Sequence, residues 1–459
     1  MGPSSPKGSR AELYRSFDRT NGQSTSSNSS TESYSPSDGV TESTQSRRCS
    51  TLPPTSFEAS KEITEKFIFT FLAVKCTNPT TEIFIGTKFS DVGASGNISF
   101  PLIDIPNMTF SLDPGSGQIF EVDSTAVPSE SELNQKVNTT VVIASDKEVV
   151  VYGHQRCDGS SNYRATAFGV RGTEDLGTEY WVITHQSGGT SQVGVVATKD
   201  HTNISFNGVY INRTLNLNKY EILYFGGSYD LTGTYIVADK PIFVIAGNSA
   251  DKSPNPDTNK VDSFNKCLPP VKDWGRHFTL VPFPPESQRF TAKILSSNDN
   301  CTLEYVNGMG GRVSVSLSRG EVKVLNSSTV LTISSSEGIL VAQFSKDRRG
   351  QSRNRNPSML LTPPYDDAEK NEFAFPIFRL YEEHGDETSY ITIWLPPASN
   401  ISLDFKNVSW NTIDEGINGY RIVQTTLSSS GFHIIHSSKN ITAVVCGVGH
   451  YQYYSYSLQ

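Results

Sequence analysis

Short runs of β-branched and aromatic residues, separated by Gly, Asn, Asp, Ser and Pro, follow one another along most of the chain. Between residues 179 and 248 the runs are EYWVITH, SQVGVVAT, NISFN, VYINRTLNL, YEILYFG, GTYIVA and PIFVIAG. Within TLNLN, Leu215 and Leu217 fall on one face of a strand and Asn216 on the other. This pattern is typical of antiparallel strands joined by turns. The best helix candidate is the short segment DDAEKNEF at 366–373.

One phrase occurs four times. It consists of an aliphatic run, a polar corner and a second aliphatic run. It reads VVIASDKEVVVYGH at 141–154, LTGTYIVADKPIFVIAGN at 231–248, LTISSSEGILVAQF at 331–344 and HIIHSSKNITAVVCGVG at 433–449. Aligned on Lys147, Lys240, Glu337 and Lys439, the copies are 93, 97 and 102 residues apart. A second phrase precedes each copy: GNISF at 96–100, TNISF at 202–206, DNCTLEY at 299–305 and SNISLDF at 399–405. A period of about 100 residues suits a β-sandwich and is too long for a solenoid or a propeller blade.

These patterns predict an all-β protein of four tandem antiparallel β-sandwich-like repeats, each of about 95–100 residues. The predicted repeats span about residues 61–158, 165–253, 266–347 and 357–455. Of the first 60 residues, 24 are Ser or Thr and few are large and apolar, which predicts a disordered N-terminal tail over residues 1–60. Trp274, in the lead-in LPPVKDWGRHFTLVP at 268–282, is predicted to fill the junction between two repeats.

Charge and hydropathy argue against two classes of partner. The 39 Lys and Arg against 47 Asp and Glu give a net charge of -8, whereas nucleic acids and anionic membranes attract a surplus of basic residues. The longest apolar run, FIFTFLAV at 67–74, is too short to span a membrane. The basic segment KDRRGQSRNR at 346–355 could attract sulfated or sialylated glycans, although an exposed loop is the simpler interpretation. We therefore expect no nucleic-acid partner and no membrane span.

Ten N-x-S/T sequons lie between residues 61 and 459, where about five would occur by chance. This surplus favours an extracellular or cell-surface glycoprotein. No basic segment followed by an apolar core is visible near residue 1, so the sequence leaves open whether the N-terminus is complete. The predicted glycosylation sites are Asn97, Asn107, Asn138, Asn203, Asn212, Asn300, Asn326, Asn400, Asn407 and Asn440.

No motif for catalysis was found: the G-x-S-x-G elbow, the P-loop and H-E-x-x-H are all absent. Asp366, Asp367 and Glu369 cluster near Glu372, but a Pro-flanked connector does not predict the shaped pocket that acid-base catalysis needs. We therefore expect that the protein is not an enzyme and has no catalytic residue and no cofactor.

Two segments carry residue types that ligate metals. His433 and His436 are three apart in a predicted strand and so face opposite sides, which prevents joint chelation. The segment 251–262 has oxygen-bearing side chains at the spacing of a calcium loop, but Pro256 stands where an EF-hand needs Gly. We expect a solvated loop and no metal. The oxygen-bearing residues are Asp251, Ser253, Asn255, Asp257, Asn259 and Asp262.

The phrases EDLGTEYWVITH, VGVVATKDHTNISFNG, YDLTGTYIVADKPIFVIAGN and CLPPVKDWGRHFTLVPF resemble, in this order, the N-terminal domain of the IgGFc-binding protein family. The resemblance covers roughly residues 61–455 and includes the closing CGVGHYQYYSYSL. In vertebrate members this domain precedes mucin-like D-type repeats in a mucus glycoprotein reported to bind the Fc part of IgG. This chain lacks the cysteine density of those repeats and has no residue set that marks an Fc site. The resemblance therefore implies an extracellular protein or glycan partner, but not IgG Fc.

Six cysteines, at positions 49, 76, 157, 267, 301 and 446, show no zinc spacing, and their connectivity cannot be read from spacing. Family members carry two nearby cysteines in the loop after the second repeat, where this chain keeps only Cys267. The resemblance thus implies that Cys157, in the corresponding loop after the first repeat, pairs with Cys267. Cys301 replaces the isoleucine of the other copies and is expected in the core, free or bridged. Cys76 and Cys446 stay unassigned.

We predict a non-enzymatic extracellular module that binds protein or glycan partners in mucus or a surface coat, through loops presented by rigid sandwiches. One alternative is a structural or adhesive spacer, which saturable binding to a defined partner would exclude. Another is a β-sandwich hydrolase or the carbohydrate-binding accessory of an enzyme. A deep pocket lined by two facing carboxylates would favour this alternative.

Overall fold

The structure, a computed structural model, describes residues 12–14, 63–89, 91–158, 163–252, 261–284, 289–306, 310–346, 356–365, 368–380, 387–415, 419–427, 430–449 and 452–458. In these residues nearly all regular structure is β-strand. Three short 3-10 turns occur at Ser124–Ala126, Glu130–Glu132 and Val271–Asp273. The predicted all-β fold class is confirmed.

The strands follow four successive parts of the chain. The first part contains β1 Glu12–Tyr14, β2 Thr64–Phe69, β3 Pro79–Gly86, β4 Ala94–Ser99, β5 Met108–Leu112, β6 Gly117–Glu121, β7 Gln135–Val137, β8 Val141–Ser145, β9 Val150–Cys157 and β10 Arg164–Gly169. The second contains β11 Gly177–Trp181, β12 Ser191–Ala197, β13 Thr202–Asn207, β14 Asn212–Leu217, β15 Ile222–Gly227, β16 Tyr235–Lys252 and β17 Val261–Cys267. The third contains β18 His277–Leu280, β19 Arg289–Ser296, β20 Cys301–Val306, β21 Arg312–Leu317, β22 Val322–Ser327, β23 Leu331–Ser335, β24 Ile339–Lys346 and β25 Met359–Leu361. The fourth contains β26 Glu372–Ile377, β27 Thr388–Leu395, β28 Ile401–Leu403, β29 Asn411–Asp414, β30 Arg421–Leu427, β31 Gly431–Ser437, β32 Thr442–Val448 and β33 Tyr453–Ser457.

Each part forms a sandwich of two antiparallel sheets, and the strand order recurs in all four, except that sheet I of the fourth has three described strands instead of four. What we name sheet I has the order β2-β8-β4-β5, β11-β16-β13-β14, β18-β23-β20-β21 and β26-β31-β28 in the four sandwiches. Sheet II has the order β6-β3-β9-β10, β15-β12-β16-β17, β22-β19-β24-β25 and β30-β27-β32-β33. Strand β16 belongs to both sheets because it continues through the corner between them. The fourfold recurrence predicted from the repeated phrases is present in the topology.

The predicted boundaries need correction in detail. Strands β10, β17 and β25 complete sheet II of the first three sandwiches but lie beyond the predicted repeat ends at residues 158, 253 and 347. The best helix candidate, residues 366–373, is not helical at its described end, because Glu372 and Phe373 begin β26, which buries Phe373 and Phe375 in a core. The predicted disordered tail lies outside the described residues, apart from β1, which pairs with β6.

The repeated polar corner is the turn at which the chain passes from sheet I to sheet II. In all four copies the residue before the aligned Lys or Glu accepts a hydrogen bond from a backbone N–H in or next to β4, β13, β20 or β28. A short polar side chain satisfies a backbone donor where the chain leaves the sheet, which explains Asp or Ser at this position. The bonds join Ser95 N to Asp146 Oδ1 (2.7 Å), Asn203 N to Asp239 Oδ1 (2.9 Å), Thr302 N to Ser336 Oγ (2.9 Å) and Asn400 N to Ser438 Oγ (3.0 Å).

The four sandwiches form a closed cycle through sheet II. In β3 of the first sandwich, Ile83 and Ile85 lie in the core of that sandwich, whereas Phe84 between them lies in the core of the fourth. In the same way, sheet II of the second sandwich packs against the first, that of the third against the second and that of the fourth against the third. The first and fourth sandwiches are therefore neighbours, and no sandwich is terminal.

Polar side chains join the strands at the centre of this cycle, where β10, β17, β25 and β33 contact one another. The buried Lys266 ammonium in β17 donates to the carbonyl oxygens of Ala167 in β10 at 2.6 Å and Ser455 in β33 at 2.7 Å. The Ser455 hydroxyl lies 2.9 Å from that of Ser358, next to β25. Burial lowers the pKa of Lys266 to about 7.

Asp262 is a second fully buried charged residue of this centre. Its carboxylate accepts hydrogen bonds from the backbone N–H groups of Ala165 (2.7 Å), Ser263 (2.8 Å) and Tyr453 (3.2 Å). Burial raises the pKa of Asp262 well above its usual range, although these bonds act in the opposite direction. Through Asp262 the second sandwich is hydrogen-bonded to the first and the fourth.

Cys157 forms a disulfide with Cys76, so the predicted Cys157–Cys267 bond is wrong. Cys157 is opposite Pro79 in the pairing of β9 with β3, which brings Cys76 close, at a Cα–Cα distance of 6.3 Å. Cys267 lies instead against the backbone of Arg171. The strand neighbour of Cys157 is Arg164, seven residues earlier in the chain. Seven residues of extended chain span roughly 20 Å, so Cys267 is too far from Cys157 to form a disulfide.

The other described cysteines are free and buried: Cys267, Cys301 and Cys446. Cys301 lies in the core of the third sandwich, as its alignment with isoleucine predicted. Trp274 lies in the core that the second and third sandwiches share, which confirms its predicted place at a junction.

Candidate binding site

Two exposed phenylalanines meet where the fourth sandwich borders the first. Phe89, in the loop after β3, is 54% exposed, and Phe405, directly after β28, is 56% exposed. Their ring centroids are 4.5 Å apart with an interplanar angle of 60°, an edge-to-face contact. The Phe89 backbone N–H also donates to Glu372 Oε1 of the fourth sandwich at 2.9 Å. The two sandwiches thus present one aromatic pair to solvent.

A two-residue turn holds Phe405 in this exposed position. Asp404 and Phe405 both have positive φ, 50° and 59°, and Leu403 and Lys406 pair on either side. Such turns favour Asn and Gly, because a bulky side chain is strained at positive φ. The Asp404 carboxylate stabilises the turn, since it lies 2.8 Å from His433 Nδ1 and accepts from the Ile434 N–H at 3.0 Å. A strained aromatic residue that gains little burial suggests a role in contact with a partner.

Gly115 lies beneath Phe89. Its φ is 65°, and a Cβ at this position would be 2.9 Å from Phe89 Cδ2. Both the conformation and the close approach therefore require glycine here. The position of Phe89 thus depends on a neighbouring hairpin turn as well as on the fourth sandwich.

A cleft of about 300 Å³ is lined by residues of the chain segment that carries Phe89. Lys88 and Asp91, on either side of Phe89 in the chain, both line it. The segment that carries Phe89 thus contributes to the cleft, and we call the cleft and the aromatic pair together the junction surface. Charged side chains of both signs line the cleft in equal number: Lys66, Lys88, Arg171 and Lys370 against Asp91, Glu148, Glu174 and Asp175. This balance suits a protein surface of mixed charge better than a polyanion.

A buried histidine packs between the first and fourth sandwiches. His154 of β9 stacks on Phe378 at 4.4 Å between ring centroids, and its Nδ1 lies 2.8 Å from Glu82 Oε2. Burial lowers the pKa of His154 in spite of this contact with Glu82. Burial acts to raise the pKa of Glu82, but the hydrogen bond with His154 and the nearby charge of Arg156 act in the opposite direction, and the pKa is lowered. The interface between the two sandwiches is thus fixed by stacking and by a buried polar pair.

Nine of the ten predicted glycosylation sites are exposed, and Asn97 in β4 is half-buried. Asn97, Asn203, Asn300 and Asn400 all lie in or directly before β4, β13, β20 and β28 of sheet I, so their equivalence holds in the structure. Their occupancy stays a prediction. The exposed sites are Asn107, Asn138, Asn203, Asn212, Asn300, Asn326, Asn400, Asn407 and Asn440.

The two candidate histidines face opposite sides of β31, as predicted: His433 is buried and His436 is exposed. Of the six oxygen-bearing residues in the segment 251–262, Asp251 and Asp262 are described, and both are buried and paired across β16 and β17. Asp251 accepts from the Ser187 N–H at 2.7 Å and lies 2.6 Å from His185 Nδ1. These two carboxylates are therefore structural.

Several considered residues lie outside the described chain: Ser253, Asn255, Pro256, Asp257, Asn259, Asp366, Asp367 and the basic segment 347–355. In the part of the chain that is described, no group of three or more His, Cys, Asp and Glu could hold a metal ion. No helix in that part is long and apolar enough to cross a membrane.

The sequence patterns did not predict the junction surface, yet one signal for it exists. After its NISF phrase the second copy continues with Asn207 and Gly208, the residues that a tight turn favours. After its NISL phrase the fourth copy has Asp404 and Phe405 in their place. A phenylalanine where a related copy has a turn glycine indicates a position selected for something other than turn formation.

A family model described as IgGFc binding protein matches residues 166–447, more than half of the chain. The chain belongs to the IgGFc-binding protein family. The match runs from β10 to β32 and so includes the second and third sandwiches and most of the fourth. Nearly all of the first sandwich, which the predicted resemblance over residues 61–455 also included, lies before the match but has the same sheet order.

No curated protein matches the chain. One solved structure, described as a tetra-tandem repeat in the extending region of a large adhesion protein, aligns over 85% of this chain and 98% of that chain. The sequence identity is 10% and the TM-score is 0.10. A TM-score this low does not indicate a shared fold.

Proposed function

We propose that this family member is a non-enzymatic extracellular module that binds a protein partner through the junction surface. The observation that carries the proposal is the exposed Phe89–Phe405 pair beside a charged cleft. Protein interfaces concentrate their binding energy in aromatic anchors surrounded by a polar rim. The family description names binding to IgG Fc, which supports a protein as the class of partner, although no residue of this chain identifies Fc itself.

Two features support the extracellular part of the proposal. The Cys76–Cys157 disulfide would be stable in an oxidising compartment. Nine sequons are exposed, as attachment of an N-glycan requires. Asn407 lies two residues after Phe405, so a glycan there would border the junction surface. We expect Asn407→Gln to leave binding unchanged or to strengthen it.

The test compares binding of the wild type with that of a Phe89→Ser, Phe405→Ser double variant. The probes are a purified IgG Fc fragment and, separately, the proteins of an extracellular fluid, passed over the immobilised chain at increasing concentration. The matched control is Val209→Ser, Tyr210→Ser, which removes exposed apolar residues from the corresponding hairpin of the second sandwich. Wild type and control should bind saturably, and the double variant should bind about 30-fold more weakly, since a hot-spot aromatic contributes about 2 kcal/mol or more.

Four outcomes would contradict the proposal. Equal binding by all three proteins would place the contact elsewhere. Absence of saturable binding to any probe would support the alternative of a structural or adhesive spacer without a specific ligand. Retention of glycans rather than proteins would support the carbohydrate-binding alternative. Hydrolysis of a glycan substrate that Glu148→Gln abolishes would show that the cleft is catalytic. Matching thermal transitions of the variants would show that each remains folded.

A further inference from the structure

Among the residues that the structure describes, β22 is an edge strand without a covering strand, whereas its three equivalents each have one. In the other sandwiches the corresponding strands of sheet II take an added antiparallel strand: β1 pairs with β6, β7 with β15 and β29 with β30. Within the described residues, β22 pairs with β19 alone. This position in the fold therefore accepts an antiparallel strand, and in the described part of the chain the third sandwich has none there.

The length of one connection explains why β22 is left open. Strand β7 lies in the long connection of residues 122–140, which reaches from the first sandwich to the edge of the second. The equivalent connection of the second sandwich is only residues 228–234, and its Asp230 carboxylate binds Lys293 of β19 at 2.5 Å. This segment is too short and too firmly held to extend along β22.

The backbone of β22 presents hydrogen-bonding groups to solvent. The Ser296 N–H donates to the Glu321 carbonyl at 3.3 Å. Hydrogen-bonded and non-hydrogen-bonded pairs alternate along an antiparallel ladder, so the next pair, Leu295 and Val322, is a non-hydrogen-bonded one. Every second residue of β22 has the same orientation. The N–H and C=O groups of Val322, Val324 and Asn326 therefore face away from β19. Val324, at the middle of this row, has a side chain that is 49% exposed.

We propose that β22 pairs antiparallel with β22 of a second copy of this chain, about a two-fold axis at Val324. This register places Val322 opposite Asn326 and Lys323 opposite Leu325, so no like charges face each other. Six residues bury less than the ~1,200 Å² that stable interfaces reach, so the pairing should be weak and concentration-dependent. The inference is independent of the junction surface, which lies between the first and fourth sandwiches.

Glycosylation of Asn326 would control whether this edge can pair. Asn326 belongs to a sequon, and its Oδ1 accepts from Thr291 Oγ1 at 2.7 Å, so its side chain lies over the face of the sheet. A glycan on Asn326 would extend past the partner strand, and we expect it to prevent pairing. The form that pairs is therefore the one without a glycan at Asn326.

The test is a disulfide across the proposed axis, in protein made by a host without N-glycosylation. The chain carries Cys49→Ser, because Cys49 lies outside the described residues, and Cys267, Cys301 and Cys446 are buried. Residues facing each other in a hydrogen-bonded antiparallel pair have Cα atoms about 5.5 Å apart, within the range of a disulfide. Under mild oxidation, Val324→Cys should form a covalent dimer about 100-fold faster than Val209→Cys, because pairing raises the effective thiol concentration. The control position Val209 is the more exposed, at 92%.

Sedimentation equilibrium at increasing concentration supplies the second measurement. The unglycosylated wild type should self-associate, and Val324→Pro, which removes an outward N–H, should remain monomeric with an unchanged thermal transition. Equal rates of cross-linking for Val324→Cys and Val209→Cys would overturn the proposal, as would a wild type that stays monomeric to about millimolar concentration. Association that survives Val324→Pro, or that persists with a glycan on Asn326, would also overturn it.

Discussion

The Lys266 ammonium lies 2.7 Å from the carbonyl oxygen of Ser455, 189 residues further along the chain. One hydrogen bond thus joins the second sandwich to the fourth across the centre of the cycle. The same ammonium binds the carbonyl of Ala167 in the first sandwich at 2.6 Å. A single buried amino group therefore connects three of the four sandwiches, and the stability of the cycle should depend on its protonation state.

The first prediction is a pH dependence that belongs to Lys266. Its pKa of about 7 in the folded protein lies below the value of about 10.4 in an unfolded chain. Between these values the unfolded state binds more protons, so stability is lost as the pH falls towards 7. From about pH 9.5 to pH 7 the free energy of unfolding should fall by roughly 3 kcal/mol through this residue. Lys266→Met should remove that part of the dependence in urea unfolding curves, and parallel profiles for the two proteins would contradict the prediction.

The second prediction concerns the three N–H groups that Asp262 binds. Asp262→Ala leaves all three buried donors without an acceptor and should lower the free energy of unfolding by about 3 kcal/mol or more. Asp262→Asn keeps an acceptor oxygen and should cost less, because burial raises the pKa of Asp262 and a neutral side chain imitates it. Urea unfolding of both variants measures the difference. An Asn variant as unstable as the Ala variant would show that the ionised carboxylate is needed.

The third prediction is the disulfide map. Peptides mapped by mass spectrometry without reduction should link Cys76 to Cys157 and leave Cys267 free. Because burial raises the pKa of Cys267 to about 11, this thiol should resist alkylation until the protein unfolds. Cys76→Ser with Cys157→Ser should lower the free energy of unfolding by about 4 kcal/mol, since the bond joins cysteines 81 residues apart. A peptide that links Cys157 to Cys267 would refute this map.

The fourth prediction separates stability from binding at Phe405. Phe405→Gly relieves positive-φ strain but loses the contact with Phe89, so the free energy of unfolding should change by less than about 1 kcal/mol. Phe84→Ala is the buried control: this ring stacks on Phe432 between the same two sandwiches, and its removal should cost about 3–5 kcal/mol. Partner binding should weaken with Phe405→Gly. Equal destabilisation by the two substitutions would assign Phe405 a role in folding.

The repeating unit could be predicted from sequence because its corner depends on local chemistry. The Asp or Ser before Lys147, Lys240, Glu337 and Lys439 must accept a backbone hydrogen bond, so the phrase recurs in all four copies. The cycle could not be predicted in this way, because it depends on which face of which sheet meets another sandwich. One trace of it exists, since every residue of β12 and β32 is buried, whereas burial alternates along β13. Strands covered on both faces are apolar on both faces.

The site and the disulfide were missed for related reasons. Phe89 and Phe405 are far apart in the chain, and no local periodicity connects residues of the first and fourth sandwiches. The partner of Cys157 was inferred from the loops of related proteins, whereas the register of β3 against β9 decides it. Long-range pairing set both results, and a single sequence contains little information about it.

Because the four sandwiches pack into a closed cycle, the number of repeats in the domain is constrained. In an open array, evolution can duplicate or delete a unit at either end, because each unit contacts only its sequence neighbours. Here a fifth sandwich would have to separate the first from the fourth and change the angle between every adjacent pair. A change in the number of copies would therefore disturb the packing of all four, whereas divergence of one copy leaves the cycle intact. The phenylalanine turn in the fourth copy and, among the described residues, the edge strand β22 without a covering strand in the third are two such divergences.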